Sequence, residues 1–227
     1  GFGRSASLDT AGAEGAKPRA GKPGEGVAYP PWWMPALMGA DSGTFTTKAE
    51  LLTAVRAYNA NPDAATATYG LIAGWDVSMI TDMSWLFSGL ANFNADFSSW
   101  DTSKVTNMYE MFFNSPAFNQ PLSIDTSKVT DMDRMFQGAR AFNQPLSFDT
   151  SEVTDMRQMF RSADAFNQPL SFDTSEVTDM DRMFQGAWVF NQPLSFDLSE
   201  VTDMREMFYG TSLSHENKLL IRCAWAG

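Results

Sequence analysis

An internal repeat constrains this chain more than any other feature. Val-Thr-Asp-Met recurs at Val129, Val153, Val177 and Val201, 24 residues apart each time. Val105-Thr106-Asn107-Met108 precedes these, and Ile80-Thr81-Asp82-Met83 stands 25 residues earlier. A second marker, Phe-Asn, recurs at Phe93, Phe118, Phe142, Phe166 and Phe190. The one change of period falls where Phe97-Ser98-Ser99-Trp100-Asp101 carries one residue more than Leu122-Ser123-Ile124-Asp125. Six units therefore run from Trp75 to Gly210. A fixed period of this length marks units that cannot each bury an apolar face alone and become stable by stacking.

Within a unit two periodicities alternate. Val153, Met156, Met159, Phe160 and Ala163 follow helical spacing, which predicts a short helix of two to three turns, with Thr154 as its N-cap and Asp155 near its positive end. Gly138, Gly186 and Gly210 then fall where the following turn needs a positive φ. Leu146-Ser147-Phe148 alternates and predicts a very short strand, with Pro145 at its start. Stacking places equivalent residues in columns: Ile72, Phe97, Leu122, Leu146, Leu170 and Leu194 in one, and Trp75, Trp100, Ile124, Phe148, Phe172 and Phe196 in another. Met83, Met108, Met132, Met156, Met180 and Met204 form a third, and Phe87, Phe112, Phe136, Phe160, Phe184 and Phe208 a fourth. The methionines are thus core rather than a metal or cofactor surface. The expected fold is an α/β repeat: a solenoid of six 24–25-residue units over residues 75–210, each a short strand plus a short helix.

The ends differ, as they must if the core is to be closed off. Residues 41–74 carry a helix opened by Thr46-Thr47-Lys48-Ala49-Glu50, ended by Asn61-Pro62-Asp63 and followed by an Ala/Thr-rich link. Residues 211–227 carry a cap helix begun by Ser214, with Leu219, Leu220 and Cys223 on its apolar face. Residues 1–40 form an extended low-complexity arm, rich up to Gly26 in Gly, Ala, Ser, Pro and Lys, with little to bury. The arm ends in Tyr29-Pro30-Pro31-Trp32-Trp33-Met34-Pro35-Ala36-Leu37-Met38, dense in interface-anchor types. Because the first residue is Gly1, a processed or an artificially shortened form is expected.

Composition removes several function classes. Sixteen Lys and Arg against 27 Asp and Glu give a formal charge of −11, which argues against nucleic-acid binding and against docking on anionic lipid. A single cysteine, Cys223, and a single histidine, His215, exclude an internal disulfide framework, thiolate clusters and most zinc sites. The apolar stretch Ala28–Ala40 is broken by Pro30, Pro31 and Pro35 and is too short to span a bilayer, so no transmembrane segment is expected. No catalytic residue, metal or cofactor is assigned.

The Asp column (Asp76, Asp101, Asp125, Asp149, Asp173, Asp197) admits a calcium ladder, but calcium needs about six oxygens, and the expectation is that each Asp serves its own turn. Asn94, Asn119, Asn143, Asn167 and Asn191 predict an amide ladder between units. Asp133, Arg157, Asp181 and Arg205 alternate in sign on what reads as an exposed face, predicting ion pairs between units. Aromatic residues in otherwise polar columns carry more information. Phe113 and Trp188 are the partner-binding candidates within the repeats, beside Trp32, Trp33, Met34, Leu37 and Met38 in the arm. For Trp85 and Tyr209, packing under the caps and partner contact stay open. His215 reads as a solvated first-turn residue and Cys223 as a small buried apolar one.

The unit Trp100-Asp101-Thr102-Ser103-Lys104-Val105-Thr106-Asn107-Met108-Tyr109-Glu110-Met111-Phe112, followed by Ala117-Phe118-Asn119-Gln120, closely resembles the BspA-like leucine-rich-repeat family. So does Lys48-Ala49-Glu50-Leu51-Leu52-Thr53-Ala54-Val55 followed by Tyr69-Gly70, Ile72 and Trp75-Asp76. The likeness covers residues 46–225 and leaves the arm outside. It implies an LRR-like solenoid, of a kind found in bacterial surface lipoproteins and in proteins of protists and algae, built for interaction and not catalysis. The leading expectation is a scaffold or linker subunit whose arm orders on protein partners in a larger assembly, with a plastid, thylakoid-associated complex such as a photosystem with its antennae as the setting, and a place peripheral to that membrane complex. The alternative is a secreted or cell-surface adhesion protein that binds host protein or glycan through the solenoid.

Overall fold

The computed structural model describes residues 43–225. The arm over residues 1–40, with Trp32, Trp33, Met34, Leu37 and Met38, lies outside the described residues.

Helix α1, Lys48–Ala60, begins with a capping box: the Thr47 side chain accepts from the Glu50 N–H, and the Glu50 carboxylate accepts from the Thr47 N–H. Leu51, Ala54 and Val55 are its buried face. Asn61 closes α1 and also caps α2, Pro62–Tyr69, by accepting from the Ala64 N–H, with Pro62 in the first turn where its missing donor costs nothing. The Ala/Thr-rich segment expected to be a link is therefore a second helix. Gly70, at φ 76°, ends it in a conformation that favours glycine.

From Trp75 to Gly210 successive units lie one on the next in parallel register. Single parallel bridges connect Asp82 to Asn107, Asn107 to Asp131, Asp131 to Asp155, Asp155 to Asp179 and Asp179 to Asp203. Between units, alternate backbone N–H groups donate to the following unit: Met132 to the Asp155 carbonyl at 3.1 Å, Arg134 to Arg157 at 2.8 Å, Phe136 to Met159 at 2.9 Å and Gly138 to Arg161 at 2.8 Å. The same four bonds recur one unit later from Met156, Gln158, Phe160 and Ser162.

The helix expected from Val153 does not form; among the described residues the only helix after Gly74 is α3, His215–Ala224. Two residues in the segment, Gln158 (φ 51°) and Ser162 (φ 55°), are left-handed, so the chain makes tight turns closed by Met159 N–H to Met156 O and Ala163 N–H to Phe160 O. Apolar spacings of three and four suit consecutive turns as well as a helix, and here the carbonyls are used laterally, between units. Thr154 accordingly does not cap a helix. Both its N–H and its hydroxyl donate to the Thr130 carbonyl of the preceding unit, at 3.0 and 3.3 Å. The strand expected at Leu146-Ser147-Phe148 is reduced to one bridge, Leu122 to Leu146; the longer bridge series runs beside Val-Thr-Asp-Met.

All the residues of the Leu and Trp/Phe columns are buried, as are the Met and Phe columns through Met180 and Phe184. The Phe rings stack nearly parallel, Phe112 on Phe136 at 5.4 Å and Phe136 on Phe160 at 5.6 Å, and each packs closely on the Phe-Asn ring of its own unit, as Phe136 does on Phe142 at 4.2 Å. At the end of the stack the expectation fails: Met204 is 39% exposed and Phe208 only partly buried, because no seventh unit covers them among the described residues. Helix α3 begins, as expected, at Ser214, whose hydroxyl accepts from the Asn217 N–H. It buries Ile221 and lays Trp225 on Phe208 at 6.0 Å. Leu219, Leu220 and Cys223, expected on its buried face, are exposed.

The left-handed positions give a graded test. An added Cβ at Gly89 (φ 73°) meets open space, whereas at Gly138 (φ 71°) it strikes the Asn114 side chain. Gly89→Ala is expected to lose about 1 kcal/mol from backbone strain alone, and Gly138→Ala more than that. Urea unfolding measures both; equal losses would contradict the contact.

Candidate interaction surface

Most repeated polar residues are consumed by the stack itself. Asn119, Asn143, Asn167 and Asn191 each donate a backbone N–H to the side-chain oxygen of the preceding Asn, at 2.8–3.0 Å. Gln144, Gln168 and Gln192 donate to the carbonyls of the same residues. On α3, Asn217 takes the part of the missing Gln and donates to the Asn191 carbonyl at 2.8 Å. This is the amide ladder the sequence predicts. Thr126, Thr150 and Thr174 donate hydroxyls to the Asp149, Asp173 and Asp197 carbonyls of the next unit, each at 2.8 Å.

The two Asp columns serve different ends. In the exposed one, Asp76, Asp101, Asp125, Asp149, Asp173 and Asp197 each accept the N–H of the Ser two residues on. Those serine bonds hold the carboxyls below the usual range, the Ser78 and Ser103 hydroxyls leading for Asp76 and Asp101 and the Ser127 N–H for Asp125. This is the turn geometry, and among the described residues no three His, Cys, Asp or Glu side chains come together to hold a metal.

The second column is that of the Val-Thr-Asp-Met marker, where Asp155 was expected near the start of a helix that does not form. Asp82, Asp131, Asp155, Asp179 and Asp203, with Asn107 in line, accept the N–H two residues on and also carry the bridges. Burial pushes the Asp131 and Asp179 carboxyls up, whereas hydrogen bonding from the Arg205 side chain holds Asp203 down. Arg157 binds the column together: its guanidinium lies 2.8 Å from Asp155, 3.1 Å from Asp133 of the preceding unit and 3.7 Å from Asp179 of the following one.

The alternating row Asp133, Arg157, Asp181, Arg205 was expected to be exposed. Its acidic members are buried: Asp133 is 1% exposed and Asp181 is also buried. Each pairs with arginine, Asp133 with Arg157 at 3.1 Å and Asp181 with Arg182 at 2.9 Å. Desolvation dominates at Asp133, whose carboxyl is pushed up to about 7 despite Arg134 and Arg157 beside it.

The aromatic candidates do not converge. Trp188 is 64% exposed at a position that the two preceding units fill with Arg140 and Asp164, with exposed Val189 beside it. Phe113 is only half-buried and lies three units earlier in a different column, roughly 15 Å along the stack at one layer per ~4.8 Å. Tyr209 is 72% exposed, so α3 does not cover it. Trp85 is 49% exposed and meets the N-terminal cap through one residue: Lys48 of α1 sits 4.7 Å over its ring, while Tyr109 meets it edge-on at 5.2 Å and its indole N–H donates to Glu110 at 3.1 Å. Lys48 also bonds Asp82 at 2.9 Å and the Ser84 hydroxyl. Its place at the start of α1 gave no sequence signal that it reaches the repeats. His215 is exposed in the first turn of α3, as expected. No helix among the described residues is long and apolar enough to cross a membrane.

A family model described as "Mycoplasma protein of unknown function, DUF285" matches residues 56–148 and 146–219, and the chain belongs to this repeat family. No curated protein and no solved structure matches the chain.

The raised carboxyl of Asp133 has a defined sign. Between pH 4 and 7 the folded chain keeps a proton there that the unfolded chain has released, so this group's contribution is full below pH ~4 and is lost as pH rises through about 7. Asp133→Asn is expected to flatten the fall in Tm between pH 4 and 7; a variant with the parent's slope would contradict the assignment.

Proposed function

We propose that the chain is a non-catalytic scaffold or linker subunit that mediates protein–protein contacts in a larger assembly. The observation that carries this reading is what the stack leaves over. Repeated Asn, Gln, Thr and Asp side chains bond to backbone or to one another, and three exposed aromatic residues, Trp188 foremost with Trp85 and Tyr209, occupy positions where other units carry polar residues. A rigid frame with exposed aromatic anchors suits recognition better than reaction chemistry. The BspA-like likeness and the reading of the stack as an LRR-like solenoid support the same class of role. In this reading the arm, with Trp32, Trp33, Met34, Leu37 and Met38, orders on its partners, and Phe113 and Trp188 add contact from the repeats. A plastid supercomplex such as a photosystem with its antennae is the proposed setting.

The test is gentle purification from the native source with mass spectrometry of what co-migrates. Stable partner subunits are expected, and removal of residues 1–38 is expected to weaken assembly by tenfold or more. Trp188→Ala is expected to weaken it while leaving stability within about 0.5 kcal/mol, as for a surface change. A lone monomer, or a shortened chain that assembles as tightly as the full one, would overturn the proposal; binding of glycan or host protein that survives loss of the arm would favour the adhesion role.

A further inference from the structure

The two ends of the stack are closed to different degrees. At the C-terminal end α3 completes two interlayer systems: Asn217 extends the amide ladder onto Asn191, and Trp225 extends the Phe stack onto Phe208. The backbone ladder is left open among the described residues. In the unit before, the N–H groups of Met180, Arg182, Phe184 and Gly186 donate to the carbonyls of Asp203, Arg205, Met207 and Tyr209 at 2.8–2.9 Å. The equivalent donors one unit on, Met204, Glu206, Phe208 and Gly210, meet no acceptor among the described residues. The edge is flanked by the exposed side chains of Met204 and Tyr209.

The charge pattern at this edge is also unfinished. Arg157 reaches carboxylates in three successive units, Asp133 behind, Asp155 in its own and Asp179 ahead. Arg205 stands in the same position one pair of units later. It reaches Asp181 behind at 3.8 Å and Asp203 in its own unit at 2.8 Å, and has no third carboxylate ahead among the described residues.

We infer that this edge, Met204 to Gly210 with Arg205, is a docking site for an extended segment of a partner protein, laid parallel to it as a further layer. The segment offers backbone carbonyls at four alternate residues and an acidic side chain at the first of them, facing Arg205. The five layers before it show the geometry such a segment adopts, and strand addition to an open edge is a general mode of peptide recognition. A second copy of this chain does not fit. Two such edges face to face present donors to donors. The complementary carbonyls at the other end belong to the first unit, where Lys48 of α1 holds Asp82 and Ser84 and Leu86 is buried.

This inference rests on the scaffold reading and names one of its surfaces; its failure would leave the co-purification result to stand separately. The probe is a synthetic peptide with the sequence of residues 176–186 carrying Phe184→Ala, because Trp225 already covers Phe208; its Asp179, Asp181, Met183 and Gln185 carbonyls fill these positions within the stack. Amide hydrogen exchange on the full chain is followed with and without it. The expected result is slowing of about tenfold or more at Met204, Glu206, Phe208 and Gly210, with little change at Met207 and Tyr209, whose N–H groups are already bonded to Met204 and Glu206. Arg205→Gln in the chain, or Asp179→Asn in the peptide, is expected to weaken binding about two- to fivefold, the range of an exposed ion pair. No slowing, slowing without the alternation, or indifference to both substitutions would overturn the proposal. So would protection of the same amides that grows with chain concentration in the absence of peptide, since that would make the occupant a second copy.

Discussion

Alternate backbone N–H groups of each unit donate to carbonyls of the next, and every other feature of the repeats follows from that lateral bonding. A helix spends its carbonyls within its own segment, whereas here those of Asp155, Arg157, Met159 and Arg161 are taken by the unit before. The segment must then turn without helical bonds, which is why Arg134, Gln158 and Arg182 hold left-handed conformations that side-chain-bearing residues seldom adopt. The strain is repeated in each layer and is tolerated because the lateral bonds and buried rings on both sides determine the backbone there.

The polar residues obey the same constraint. A carbonyl or amide inside a stack of short layers has no water, and most find a partner in an adjacent layer or in their own turn, although the Gln137 side-chain oxygen meets none among the described residues. Asn and Gln satisfy one flank and Thr another, while Arg157 offsets three carboxylates that burial and mutual proximity would otherwise penalise. The exposed Asp–Ser turns sit outside this economy of buried groups. Their carboxyls are held low by the serines, and the low range favours the folded state until acid protonates them.

The period, the interior columns and the amide ladder were legible in the sequence, because each repeats with the chain and a repeated side chain stacks on itself. The local conformation was not. Met156, Met159, Phe160 and Ala163 lie at spacings common to a helix and to a run of tight turns, and nothing in one unit says whether its carbonyls bond inward or sideways. The sequence places Asp133 at the surface for the same reason, since a helix would turn it outward, whereas the turns bury it. Helix α2 was hidden by its Ala/Thr composition, although Asn61-Pro62 is an N-terminal signal. Of the surface candidates, Trp188 stood out as an aromatic residue in a charged row, whereas the Lys48–Trp85 contact joins residues 37 apart and left no periodic trace.

Register is therefore the property on which the fold depends. It can be tested by excision: removing residues 153–176 joins Glu152 to Val177 and deletes one whole 24-residue layer. The shortened chain should still unfold cooperatively, at a lower midpoint, with five layers bonded as six were. Removal of only residues 153–164 should abolish folding, because half a layer shifts every later residue out of its column. If the whole-layer excision unfolds the protein, or the half-layer excision is tolerated equally well, layers bonded in register are not what holds this chain together.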